Sequence, residues 1–317
     1  MAILDLLWGN WLIVAFLAPF FWAIMNIIDA YFVSSVYEDE WDGGIISSLF
    51  QLSAWLLVVF GLVEFQFPGT WPAFIAITSG ILLAFSFFYY FRTLFVSHDV
   101  VVIGSIWNLS VPLVPFLAWL IVGERLSRMD YFGIILAFVG ATLFVVHKRI
   151  REKNLWSVIK NMLFAVTLLS LSMVLQNWVY DHAHIEFWTG FLLFSSGSAL
   201  AGILMIAIDK RSLKDRVVHL QELAQKHVHI FFFAEFLGLL AILSSQRAIS
   251  LSPSVSYVAA IESAVPVFVM ILSFIFALFL FKTNLVKARQ IFTDQLDAIG
   301  IKIMACVLIA FGIYLIS

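Results

Sequence analysis

The chain contains a single cysteine, Cys306, which excludes an intramolecular disulfide and any Cys-rich metal site; lying in the last hydrophobic run, it says nothing about redox compartment. Charge is scarce as well. Asp, Glu, Lys and Arg make up 12% of the 317 residues, against roughly a quarter in ordinary soluble domains, and that excludes a soluble protein. Eighteen Lys and Arg against twenty Asp and Glu leave a formal charge of -2, so there is no basic face for phosphate contacts and nucleic acid is not a partner. No G-x-x-x-x-G-K-[ST] loop is present. H-E-x-x-H, G-x-S-x-G and paired aspartates on facing spans are missing too, so neither an enzyme nor a cofactor is expected. The N-terminal MAILDLLWGN lacks a basic region, and the run behind it is too long for a signal-peptide core, so cleavage is not expected.

What is abundant is apolar sequence, 63% of the chain. A spanning helix takes about 20 residues, and lipid offers backbone groups no partner, so each long apolar run must be a helix closed on its own hydrogen bonds. Ten runs are expected, at 11–34, 44–63, 72–91, 99–122, 131–147, 156–179, 187–208, 230–247, 254–281 and 300–316. The expected class is an all-α integral membrane protein without an extramembrane domain. Between runs seven and eight, Leu213, Val217, Leu220 and Ala224 recur at helical spacing opposite Lys214, Arg216, Gln221 and Lys226, which predicts a helix lying in the interface.

Orientation follows Lys and Arg near span ends. Loops after the odd runs, with adjoining span ends, hold Arg92, Lys148, Arg149, Arg151, Lys153, Lys160, Lys210, Arg211, Lys214, Arg216, Lys226, Lys282, Lys287, Arg289 and Lys302; the other side holds Arg125, Arg128 and Arg247. By that rule both termini lie outside. The acidic turn Glu38-Asp39-Glu40 with Asp42 falls on the inner side and is expected to be solvated.

The chain repeats itself. Residues 92–119, RTLFVSHDVVVIGSIWNLSVPLVPFLAW, align with 247–273, RAISLSPSVSYVAAIESAVPVFVMILS, matching Arg92 with Arg247, Pro112 with Pro266 and Asn108 with Glu262. VGATLFV at 139–145 likewise matches FGIYLIS at 311–317. Two halves, 1–150 and 151–317, thus carry five spans each; because five is odd, the second would enter the membrane inverted, an architecture suited to alternating access.

The stretch 89–145, with its Pro-bearing fourth span, Gly123-Glu124-Arg125-Leu126 and the spaced Gly133 and Gly140, resembles the EamA-type module of the drug/metabolite transporter superfamily. The second half departs from it where GERL becomes FKTN at 281–284. The resemblance implies two such modules around a central cavity for a small metabolite, and it implies both termini inside, opposite to the charge rule. Compact loops fit a bacterial inner membrane.

An ionisable residue within a span costs at least a few kcal/mol and usually faces a cavity or a partner. Trp22, Asn26 and Asp29 lie at i, i+4 and i+7 on the first span, a face expected to line a cavity; the other reading of Asp29 is an acid snorkelling from a helix end. Glu262 stands four residues before Pro266, where proline frees a carbonyl, and its counterpart Asn108 stands four before Pro112. Such a turn would bind a cation or proton; alternatively Glu262 pairs with Arg247. Glu235 lies among Ala234, Gly238, Ala241 and Ser245, which favours close helix packing, with an interfacial salt bridge as its other reading. Arg92 and Arg247 would anchor span ends or attract an anion. Gln176 and Asn177, with Trp178 and Tyr180, offer uncharged hydrogen bonds, and Trp22, Trp107, Trp178 and Tyr257 are candidate stacking surfaces. His182-x-His184-x-Glu186 and His227-x-His229 have metal-compatible spacing but too few ligands, so no metal is expected.

Together these features predict a secondary transporter for a small polar or amphipathic metabolite, driven by protons or by exchange, with membrane lipids as its other contacts. The competing expectations are a flippase for a lipid-linked sugar or other amphipath, and a non-transporting scaffold or sensor with a sealed interior.

Overall fold

The structure is a computed structural model that describes residues 8–97, 100–146, 155–280 and 296–317, with single positions 289, 291 and 293. Among these residues there is no strand. The helices are α1 (Trp11–Ser35), α2 (Glu40–Phe50, continued by a 3-10 stretch Gln51–Trp55 and a turn Leu56–Val59), α3 (Thr70–Val96), α4 (Val100–Trp107), α5 (Ser110–Ile121), α6 (Arg128–Val146), α7 (Leu155–Asn177, extended by a π-helical turn Trp178–His182), α8 (Phe187–Ile208), α9 (Leu213–Leu251), α10 (Val255–Glu262), α11 (Val265–Leu280) and α12 (Ile299–Ile316). Eight helical stretches are long and apolar enough to cross a bilayer: Trp11–Ser35, Glu40–Val59, Thr70–Val96, Trp156–His182, Phe187–Ile208, Leu213–Leu251, Val255–Phe279 and Ile299–Ile316. The other two expected spans coincide with α4 plus α5 and with α6. Basic positions 148, 149, 151, 153, 282 and 287, and the FKTN segment, lie outside the described residues.

Helix ends follow local chemistry. Asn10 caps α1 by accepting from the Leu12 and Ile13 amides, Asp39 and Asp42 form a reciprocal capping box on α2, and the Ser212 and Ser254 hydroxyls cap α9 and α10. At the other end of α5, Gly123 takes a φ of +71° and the Glu124 amide donates back to the Ala118 carbonyl at 3.2 Å. That left-handed C-cap suits glycine. It also aims Glu124 at α10, where it accepts from the Ser256 hydroxyl at 2.7 Å.

Two helices break within apolar runs. α4 gives way to α5 at Asn108-Leu109, and α10 to α11 at Ser263-Ala264. In each case a proline follows closely, Pro112 or Pro266, and removes a donor from the i to i-4 ladder. Shorter bonds close the turns, Val111 N–H to the Asn108 carbonyl at 3.1 Å and Ala264 N–H to the Ile261 carbonyl at 3.0 Å.

Glycine sets the closest helix approaches. A Cβ on Gly80 of α3 would collide with the Phe194 carbonyl of α8, and one on Gly197 of α8 with the Ile77 carbonyl of α3. α6 and α12 meet the same way, with Gly133 and Gly312 facing each other's carbonyl oxygens and Gly140 facing that of Ala305. Elsewhere α1 packs along α9, and α3 along α7.

The segment 213–226 forms the expected helix, joined to the rest of α9 across a kink at His227, whose backbone is not helical (φ -126°, ψ 22°). Only Arg216 departs from the expected charged face: it is 0% exposed, because it turns inward to the acidic residues at the start of α2.

Replacing Gly80 by Val forces a methyl pair onto a backbone carbonyl that cannot move aside, so the detergent-solubilised protein is expected to lose about 3 kcal/mol of stability in a thermal unfolding assay. Gly300→Ala, with nothing near its Cβ, is expected to be neutral or slightly stabilising.

Candidate functional site

A cavity of about 330 Å³ opens between α1, α2, α3, α4, α7, α9, α10 and α11, with α8 contributing Ser198 and α12 contributing Lys302. Each helix supplies one stripe. α1 presents Trp22, Met25, Asn26 and Asp29; α3 presents Leu83, Phe87, Tyr90 and Phe91; α9 presents Glu235, Gly238, Ile242, Ser245 and Gln246. These spacings of three, four and seven keep residues on one helical face.

Of the residues expected to form a site, Trp22, Asn26, Asp29, Trp107, Asn108, Glu235 and Glu262 all line this cavity. Asp29 is 7% exposed and Glu235 4%, so neither snorkels from a helix end. Glu235 accepts from the Ser47 hydroxyl at 2.9 Å, and this replaces the salt bridge considered for it. Glu262 accepts from the Ser245 hydroxyl at 2.5 Å. Arg247 does not reach it; that guanidinium lies over the Phe187 ring at 4.9 Å and the Trp8 ring at 5.9 Å. Asn26 accepts from the Tyr90 hydroxyl at 3.2 Å, while Trp22 packs on Phe87 and Trp107 on Tyr90, both at 5.5 Å. Asn108 is buried at the break between α4 and α5, and its Nδ2 has no hydrogen-bond partner.

Three expected residues lie elsewhere. Tyr257 packs against Trp11 at 6.2 Å, outside the cavity, because α10 turns it toward the end of the bundle. Gln176 sits behind the wall: its Oε1 accepts from the Ser79 hydroxyl at 2.7 Å, and Ser172, one turn earlier on α7, is the residue that reaches the cavity. Asn177 is buried without lining it, and Trp178 packs against the core around it. Arg92 is exposed at the end of α3. In the loop before α8, His182 pairs with Asp181 at 3.4 Å and Glu186 caps α8 by accepting from the Thr189 amide at 3.0 Å. No group of three or more metal-binding side chains occurs among the described residues.

The sequence reading missed several lining residues. Lys302, counted there as a span-end charge, is 3% exposed and faces the cavity from α12. Ser47 and Gln51 stand one turn apart on the second span, and Gln246 extends the α9 stripe beyond Ser245. That stripe was visible as a helical repeat of polar and small residues; Lys302 carried no such signal.

Beyond Asp29 the cavity is closed by two layers. Phe32, Tyr37, Phe91 and Phe231 pack ring on ring, with centroids 5.0 to 5.9 Å apart. Under them lies the acidic turn, where Glu38 is exposed as expected but Asp39 and Asp42 are not left to solvent: Arg216 binds Asp42 at 2.7 Å, Asp39 at 3.0 Å and also Asp209, and His219 reaches Asp42 at 3.0 Å. The clamp joins the start of α2 to the connection between α8 and α9. At the opposite end of the bundle, Trp8 meets Arg247 and Phe187, and Ile316 packs near Leu126 and Ile134. Both ends of the described chain therefore lie together, away from the clamp.

No family model matches this sequence, and no curated protein matches it. Chains of solved structures do resemble it, 27 in number. One, described only as "Crystal structure of protein", superposes with a TM-score of 0.65 at 15% identity, covering 96% of this chain and 94% of its own. The likeness is one of fold alone.

Burial by itself would raise the Asp209 carboxyl, yet it is held below its ordinary value by the Arg216 guanidinium and by the backbone N–H groups of Arg211 and Lys210. A carboxyl depressed on folding stabilises the folded state above its unfolded pKa of about 3.9, and that contribution disappears as pH falls through the lower folded value. Arg216→Ala leaves Asp42 and Asp209 buried without their cation, so a loss of about 3–5 kcal/mol is expected at neutral pH in thermal unfolding. The gap to wild type should narrow on acidification, as the Asp209 carboxyl becomes protonated.

Proposed function

We propose that this chain is a secondary transporter of the EamA type in the drug/metabolite transporter superfamily. It crosses the membrane ten times as two inverted five-helix modules and moves a small polar or amphipathic metabolite by alternating access. The observation that carries this reading is the convergence of Asp29, Glu235 and Glu262, from α1, α9 and α10, on one cavity within an apolar bundle. Such acids are costly in a membrane interior and mark substrate or ion pathways.

The arrangement of helices supports the two-module reading. Under a pairing of spans one to five with six to ten, α1 on α9 corresponds to α7 on α3, and the α6–α12 contact corresponds to itself, glycine to glycine. The two proline-associated breaks adjoin the cavity from opposite modules, Asn108 at one and Glu262 at the other, as expected where broken helices form a midplane site. A cavity with several polar groups argues against a sealed scaffold.

Coupling is assigned to Glu262. With no phosphate-binding loop in the sequence, transport draws on an ion or solute gradient. A carboxyl at a loosened turn, held by the Ser245 hydroxyl, would exchange its proton as the cavity changes sides. In proteoliposomes, Glu262→Gln is expected to abolish uptake driven by an imposed proton gradient while leaving exchange of preloaded substrate measurable. Unchanged gradient-driven uptake would refute the assignment.

A further inference from the structure

The acids are not spread evenly around the cavity. α1 and α9 run antiparallel, Met25 beside Gly238 and the Phe32 ring 5.0 Å from that of Phe231, so Asp29 stands level with Glu235. Ser47 holds Glu235 from α2 at 2.9 Å. One turn further along, buried Gln51 lines the same cavity, and its Oε1 has no hydrogen-bond donor. Two carboxylates and an orphaned carbonyl oxygen thus make one pole built of acceptors. A buried acceptor left without a donor costs free energy, as do two like charges held level in a confined space.

Beside this pole the walls are aromatic: Trp22 on Phe87, and Trp107 on Tyr90. Such faces attract cations and accommodate apolar bodies. The cavity as a whole holds three carboxylates to one ammonium, that of Lys302.

Resting on the carrier reading above, we propose that the transported solute is an organic ammonium ion, its N–H donors shared among Asp29, Glu235 and Gln51 Oε1 and its apolar body lying against Trp22, Phe87 and Trp107. An anion would meet two carboxylates at this pole. A bare metal cation would leave the aromatic wall unused, and the described residues hold no cluster of three or more His, Cys, Asp or Glu side chains that could bind one. The volume, about 330 Å³, is at the lower end of pockets for small organic molecules.

Tryptamine, tryptophan and indole-3-acetate share one body and differ in charge, which makes them a direct test on the purified full-length protein. Tryptamine is expected to raise the apparent melting temperature and, by calorimetric titration, to bind at least about 10-fold more tightly than indole-3-acetate. Asp29→Asn and Glu235→Gln should each weaken tryptamine binding by about 10-fold or more, and Gln51→Leu by less. Equal or tighter binding of indole-3-acetate, no binding of tryptamine, or stabilisation by sodium or potassium ions alone would overturn the proposal, and this wild-type series decides it even if a variant fails to fold. Tryptamine bound with the expected preference but not carried into proteoliposomes would leave the cation pole standing and refute the carrier reading instead.

Discussion

Hydrocarbon gives a charged side chain neither water nor counter-ion, and that cost organises the interior of this bundle. Its buried ionic groups are gathered into two places. In the clamp, Arg216 is met by Asp39, Asp42 and Asp209, and charge is neutralised in contact. In the cavity, Glu235 and Glu262 are met by the Ser47 and Ser245 hydroxyls, and Asp29 joins them on the lining. The first arrangement holds helices together. The second keeps carboxyls accessible, which is the property that solute binding and proton exchange both require.

The two places are linked by the helices that carry them. α2 starts in the clamp at Asp42 and reaches the cavity at Ser47 and Gln51; α9 starts in the clamp at Arg216 and reaches it at Glu235. Between them lies the ring layer of Phe32, Tyr37, Phe91 and Phe231. Parting α2 from α9 at their N-terminal ends would break the Arg216 ion pairs with Asp39 and Asp42. The α6–α12 contact, by contrast, is backbone against backbone through glycine. It needs no desolvation and tolerates little separation, which suits a fixed seam around which other helices rearrange.

Much of this was legible in the chain. Long apolar runs located α1, α3 and α8 within a few residues, since lipid obliges each such run to close its backbone hydrogen bonds as a helix. Trp22, Asn26 and Asp29 were read correctly as one face from spacing alone. Asn108 and Glu262, each singled out four residues before a proline, both line the cavity. Tyr257, Gln176 and Asn177 were not brought to the cavity, because composition shows that a residue is polar or aromatic but not which side of its helix meets the neighbours. For Arg216 and its acids the spacing itself misled. A helical face rich in charge usually looks outward, and only the approach of a distant acidic turn made inward the cheaper direction.

The sequence by itself determined that the chain is helical and apolar enough to cross a membrane, and that its helices break near Pro112 and Pro266, because these depend on local hydrogen bonding and on hydropathy. Which acids share one space was decided only by tertiary structure. Asp29 and Glu235 are some two hundred residues apart along the chain, as are Lys302 and the first-half residues it joins in the cavity. Their proximity follows from antiparallel packing of α1 on α9 and from glycine contacts that bring helices to backbone distance, interactions between segments that carry no mark of each other.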